Sequence, residues 1–293
     1  MKKQVSIAVC LTFICLAGCT LENADSEEQA SKKSNQPVST EKSSNDKSEE
    51  DTKKDNPPAT ENPSTSDEDG ANNVPNSQES IIASVKEQIQ NSLPPKLPKY
   101  LPMSSEEMKL SAATDSKDDR YRVTFFESKK AIPINDKELN NNEIAKPIAV
   151  IEARQYETNQ EAKSKIGYIS PEDIPTGNPA INLGHSIKGY EEGGMGNKWL
   201  NWHEGRWYLQ IHANNLEGAN EYVPLAKQMV DYLESNSLPV PNQYGSVKAD
   251  VDQQKTEDNQ ISWQEEKIVY TISEVEDPIK MLEIATHFDG MGK

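Results

Sequence analysis

Between Phe13 and Tyr100 the chain has no aromatic residue, and residues 20–78 are almost entirely Ser, Asn, Asp, Glu, Lys, Pro and Thr. Such a stretch cannot bury enough apolar surface to offset the entropy of ordering it. It is expected to be disordered, so any core must come from the residues after it. As a flexible coil, about 60 residues span roughly 40 Å on average. Pulled straight they reach on the order of 200 Å. The remaining ~210 residues are enough for one large or two small domains.

The chain begins MKKQVSIAVCLTFICLAGCT. Lys2 and Lys3 precede an apolar run over residues 5–17, too short to span a bilayer and typical of an export signal. The run closes in Leu16-Ala17-Gly18-Cys19, which resembles the lipobox of bacterial lipoproteins. That resemblance implies a signal peptide over 1–18, cleavage before Cys19, and lipidation of its sulfur by diacylglycerol, palmitate being a typical acyl chain. Two acyl chains suffice for stable anchoring where one does not. The expected location is the outer face of the cytoplasmic membrane, with residues 19–78 as a tether like those of Gram-positive lipoproteins. Cys10 and Cys15 leave with the signal, so no disulfide or cysteine metal site is expected.

Acidic side chains outnumber basic ones, 48 to 31, for a net charge of −17. Loss of Lys2 and Lys3 with the signal makes the remainder more acidic still. A chain of this balance does not bind nucleic acid electrostatically. It is also repelled by anionic lipid and wall polymers unless cations intervene. The expected partners are therefore the membrane, through lipid on Cys19, and an envelope protein or wall component.

The periodicity over the rest predicts an α+β fold. ESIIASVKEQIQNSL aligns Ile82, Val85, Ile89 and Leu93 on one helical face, and Pro94 and Pro95 stop it. PPKLPKYLP (94–102) is expected as an extended strap on the core, with docking to a proline-binding domain as the rival reading. RYRVTFFES (120–128), KPIAVIEARQY (146–156), INLGHSIKGY (181–190) and NKWLNWHEGRWYLQIHA (197–213) read as strand. So do SVKADV, QISWQE and KIVYTIS. TNQEAKSKI (158–166) is a short helix, and EYVPLAKQMVDYLES (221–235) a long one with Leu225, Met229, Tyr232 and Leu233 inward. DPIKMLEIATHF (277–288) is a final helix, with Asp277 as N-cap and Pro278 behind it.

WHEGRWYLQI (202–211) and WQEEKIVYTI (263–272) align without gaps, and a helix opening near proline follows each. Two copies suggest duplicated strand-turn-strand-helix units over 197–293, after an N-terminal α+β part over 79–196. With Glu204 and Gly205 as the turn, Trp202 faces Trp207 and Leu200 faces Leu209 on an apolar side. The tryptophans are then core, held by pairing and burial, rather than a ligand platform. Trp199, Tyr208 and Arg206 fall on the other side and become the candidate ligand contacts.

The second copy, ISWQEEKIVYTIS with the helix PIKMLEIATHF, resembles a domain of unknown function found in Gram-positive envelope lipoproteins and in the outer parts of membrane-bound sigma-factor regulators. The likeness covers about a tenth of the chain. It implies sheet-plus-helix units and an envelope binding or sensing role, and supplies no catalytic residue. This chain departs from that pattern before the helix, where it has Glu276-Asp277-Pro278 in place of Ser or Gly.

Motifs with chemical content are few. GHSIKG (184–189) lacks the second flanking glycine of a nucleophile elbow, having Lys188 there, so Ser186 is a poor nucleophile candidate. His185, His203, His212 and His287 show no zinc-binding spacing. DVDQQKTEDNQI (250–261) has Lys255 and Ile261 where a calcium loop needs Gly and Glu. The glycine-rich GYEEGGMGNKW (189–199) is no phosphate loop and reads as a hairpin loop beside Trp199. No metal or cofactor is expected. The reading is non-catalytic: binding, sensing or assembly in the envelope. A wall carbohydrate- or peptide-binding module is one rival. An extracytoplasmic hydrolase using Glu191, Glu192 or His185 is the other.

Overall fold

The computed structural model describes residues 77–214, 220–252 and 256–288. The expected signal, Cys19 and residues 19–76 of the expected tether lie outside the described residues. Those described belong to one compact unit, Glu68–Lys293.

Helix α1, Gln78–Gln88, starts at a reciprocal Ser77–Ser80 capping box and buries Ile81, Ile82 and Val85. The strap follows: Leu97 and Leu101 are fully buried, and Lys99 donates its backbone N–H to His287 O at 2.7 Å. The expectation of a strap on the core therefore holds. Three strands come next, β1 (Lys109–Lys117), β2 (Arg120–Ser128) and β3 (Ala145–Gln155). Helix α2, Asn159–Ile166, is capped by the Thr158 hydroxyl and ends at Gly167 with φ 71°.

INLGHSIKGY forms two strands rather than one, β4 (Ile181–Gly184) and β5 (Ile187–Gly194). His185 and Ser186, both at positive φ, make the tight turn between them. Then come β6 (Asn197–Glu204), β7 (Trp207–Asn214) and helix α3 (Tyr222–Leu233). The chain closes with β8 (Gly245–Asp250), β9 (Gln260–Glu265), β10 (Ile268–Ser273) and helix α4 (Pro278–Thr286). Asp277 caps α4, accepting from Ile279 and Lys280.

All ten strands form one sheet in the order β1-β2-β3-β10-β9-β8-β7-β6-β5-β4. Only β7 and β8, joined across α3, are parallel; every other neighbouring pair is antiparallel. The division between the two expected parts, at 196/197, lies inside this single sheet. It falls in the tight β5–β6 hairpin, whose turn is Met195-Gly196. β3 also pairs directly with β10, so the first and last strand groups share one sheet. The fold is a mostly antiparallel sheet with packed helices, and β8 stands between the two expected hairpin–helix segments.

The β6–β7 turn is Gly205-Arg206, one residue later than expected. Glycine with φ 58° at the first central position sets it. Trp202 therefore pairs with Leu209, and Glu204 with Trp207. Moving the turn by one residue shifts each partner by two, so every side chain keeps its face. The second hairpin shifts likewise, pairing Trp263 with Tyr270. Trp202, Trp207 and Trp263 are buried. Trp263 stacks on Tyr270 at 5.4 Å and meets Phe288 edge-on at 5.1 Å. This layer is the centre of the main core, and truncating one of its indoles to Ala costs roughly 3–5 kcal/mol.

Helix α3 is rotated from the expected face. Tyr222, Ala226, Met229 and Val230 are buried, while Leu225, Tyr232 and Leu233 are only partly so. Helix α2 lies on the opposite side of the sheet. Ala162 and Ile166 cluster there with Val269 and, around the edge, Tyr156, Tyr168 and Tyr244.

Candidate functional site

Alternation along the strands sends one set of residues away from the core. Two registered rows of that set lie side by side across β5, β6, β7 and β8. One row is Glu192, Trp199, His212 and Asp250; the next is Tyr190, Asn201, Gln210 and Lys248. A sheet buried on both faces carries apolar residues at such positions. Here every member is polar or aromatic.

Hydrogen bonds hold these groups in place. His212 Nδ1 meets Asp250 Oδ2 at 2.5 Å, and its Nε2 meets Asn197 Oδ1 at 2.8 Å. Asp250 is almost fully buried and also accepts the backbone N–H of Asp252 at 2.8 Å. The imidazole is thus pinned at both nitrogens, and the half-buried Trp199 ring lies 5.4 Å from it. Beside this pair, Asn201 Oδ1 accepts from Tyr208 Oη at 2.7 Å and from Gln210 Nε2 at 2.9 Å. Lys248 marks the edge of the open area. Its ammonium lies over Gly167, where a Cβ would come within 2.8 Å of it.

The three expected contact residues do not form one surface. Trp199 is half-buried on the open area, as the alternation predicts. Tyr208 is on the same face but fully buried. The segment after α2 covers it: Tyr168 lies edge-on at 6.4 Å, and His203 donates to Ile169 O at 2.9 Å. Burial holds the Tyr208 hydroxyl well above the usual phenol range and pushes the His203 imidazole down. Tyr208 is a support beneath Asn201 and Gln210, not a ligand contact. Arg206 is exposed in the turn, and its guanidinium donates to Pro241 O at 2.9 Å and Asn242 O at 3.4 Å. It is turned to the β8 side, away from Trp199.

The hydrolase candidates are separated too. Glu191 and Glu192 are consecutive in β5 and project to opposite faces. Glu191 accepts a hydrogen bond from Tyr222 Oη. Burial, then that bond, push the Tyr222 phenol up to about 12. His185 sits in the β4–β5 turn with Asp231 at 3.0 Å and Glu234 at 3.7 Å. Ser186 is in a hairpin turn, without the helix an elbow requires. Among the described residues no group of three or more His, Cys, Asp or Glu is placed to hold a metal.

The arrangement can stack a flat ligand on the Trp199 indole with the partly exposed Gln210 amide beside it; Asn201 is buried, its amide held by Tyr190 O, Tyr208 and Gln210. The arrangement cannot use His212 as a base without breaking a hydrogen bond. The His212–Asp250 pair escaped the sequence reading because it depends on the parallel β7–β8 register. No protein-family model, no curated protein and no solved structure matches the chain.

Proposed function

We propose that the chain is a lipid-anchored extracytoplasmic binding protein. Lipid on Cys19 holds it to the membrane, the tether over 19–78 carries the body outward, and the Trp199 face engages a polar wall component. The observation that carries this reading is the double row of polar and aromatic side chains on a sheet face that the helices of the main core leave alone. An indole with the partly exposed Gln210 amide beside it suits the hydroxyls and flat apolar faces of sugars better than it suits a purely apolar partner. The net charge of −17 argues against a strongly anionic ligand.

Repeated geometry supports an origin by duplication. Trp202 and Trp263 each sit two residues before a glutamate that accepts the indole N–H. A duplicated scaffold of this kind gives rigid strands on which a binding face can be carried.

The test is co-sedimentation of the protein with isolated wall sacculi. Binding lost in Trp199→Ala and kept in Trp202→Phe supports the reading. Equal binding by wild type and Trp199→Ala, or none by wild type, refutes it.

A further inference from the structure

The two hairpins differ at one point. In each, an indole N–H is donated to the carboxylate two residues on, Trp202 to Glu204 at 2.9 Å and Trp263 to Glu265 at 3.2 Å. Glu265 also holds a cation from the strap. Lys96 Nζ lies 2.5 Å from Glu265 Oε2 and 5.3 Å from the Tyr270 ring centroid. The strap fixes that lysine by its backbone: Lys96 donates N–H to Tyr121 Oη, and its carbonyl accepts from the same hydroxyl, both at 2.9 Å.

Glu204 has no such partner. Among the described residues no lysine or arginine pairs with it, and Arg206, which lines the same cleft as Glu204, is committed to the backbone carbonyls of Pro241 and Asn242. The carboxylate instead borders a cleft of about 420 Å³ whose walls include Trp207, Leu233, Leu238, Pro239 and Val240. Val240 is 72% exposed on the rim. Burial holds the Glu204 carboxyl above its ordinary range, against the Trp202 bond and the His185 imidazole, which pull it down, and with Glu234 adding to the rise. A half-buried carboxylate with no lysine or arginine on it, beside an apolar cleft, is set for a ligand that brings a cation and an apolar chain.

We propose that this cleft receives a lysine from an extended, proline-containing segment of a partner protein, docked as Lys96 of the strap docks on Glu265. The ammonium meets Glu204 and the chain on either side lies against Trp207, Pro239 and Val240. The site is separate from the Trp199 face and stands whether or not that face binds wall material.

The test uses full-length protein and a fluorescein-labelled peptide with the sequence of residues 92–102, followed by anisotropy. Saturable binding is expected. It should weaken about tenfold or more in Glu204→Gln, and equally with a peptide carrying norleucine for the lysine equivalent to Lys96. Val240→Arg, on the exposed rim where folding is not at stake, should weaken it as well, by placing a competing cation there. Unchanged affinity in Glu204→Gln and Val240→Arg overturns the proposal. So does absence of saturable binding. Binding lost only in Glu265→Gln also overturns it, since the peptide would then be exchanging with the strap.

Discussion

Trp202 donates its indole N–H at 2.9 Å to the Glu204 carboxylate, two positions along the same strand and on the same face. The bond satisfies a buried donor that the surrounding apolar layer cannot. It also draws the carboxylate inward, to the border between the tryptophan layer and the Val240 cleft. At the other hairpin the same bond is joined by Lys96, so the two corners share a geometry and differ in charge.

Glu204 should make stability fall with rising pH. Burial raises its carboxyl in the folded state, so the folded chain binds that proton more tightly than the unfolded chain does. Stability is then full below the ordinary carboxylate range and is lost as pH climbs through the raised value. Glu204→Gln keeps an acceptor for Trp202 and removes the ionisation. Its unfolding free energy relative to wild type should therefore increase from about pH 4 to about pH 7.5 in urea titrations. A difference independent of pH would contradict the assignment.

Asp250→Ala should destabilise by roughly 2–3 kcal/mol, the range for a lost charge-assisted hydrogen bond. It removes the acceptor of His212 Nδ1 and of the Asp252 backbone N–H. The imidazole should also become mobile beneath Trp199. The check is urea denaturation together with Trp199 emission in a background lacking the other three tryptophans. Loss of stability with unchanged Trp199 emission would mean that Asp250 supports the strand and not the ring.

Strong patterns in the chain translate directly into elements. Arg120–Ser128 alternates β-branched and aromatic residues and is β2 without a residue's difference. Asp277-Pro278 announces α4. β1, KLSAATDSK, carries little such signal, because small and polar residues have weak strand preference. Its conformation is imposed by pairing with β2 from Lys109 to Lys117. Helix α3 is apolar on more than one side, so periodicity alone did not choose between Leu225 and Ala226. Tyr208 looked accessible because alternation reports a face and not what covers it. The cover is the irregular chain around Tyr168 and Ile169, which has no period to read.

Gly245→Ala should cost about 1–3 kcal/mol, as overpacking in a filled core does. A Cβ on Gly245 would stand 2.5 Å from two ring carbons of Trp207. The indole has little freedom to retreat, because its N–H is bonded to Pro239 O at 3.2 Å. Thermal unfolding measures the loss. A midpoint equal to that of wild type would show that Trp207 does not rest on the β8 backbone.

Tryptophan quenching separates the four indoles and tests the two faces of the β6–β7 hairpin together. Trp202, Trp207 and Trp263 are buried in the main core, whereas Trp199 is half-buried on the polar face. Each can be read alone in a variant whose other three tryptophans are Phe or Tyr. Acrylamide should quench Trp199 several-fold more steeply than the other three. Isolated sacculi, if they bind the Trp199 face, should protect Trp199 and leave the core indoles unchanged. The strap peptide, if it docks beside Glu204, should instead alter Trp207. Free quenching of Trp202 would mean that the hairpin faces the other way. Protection of Trp207 by sacculi would move the wall contact from the sheet face to the cleft.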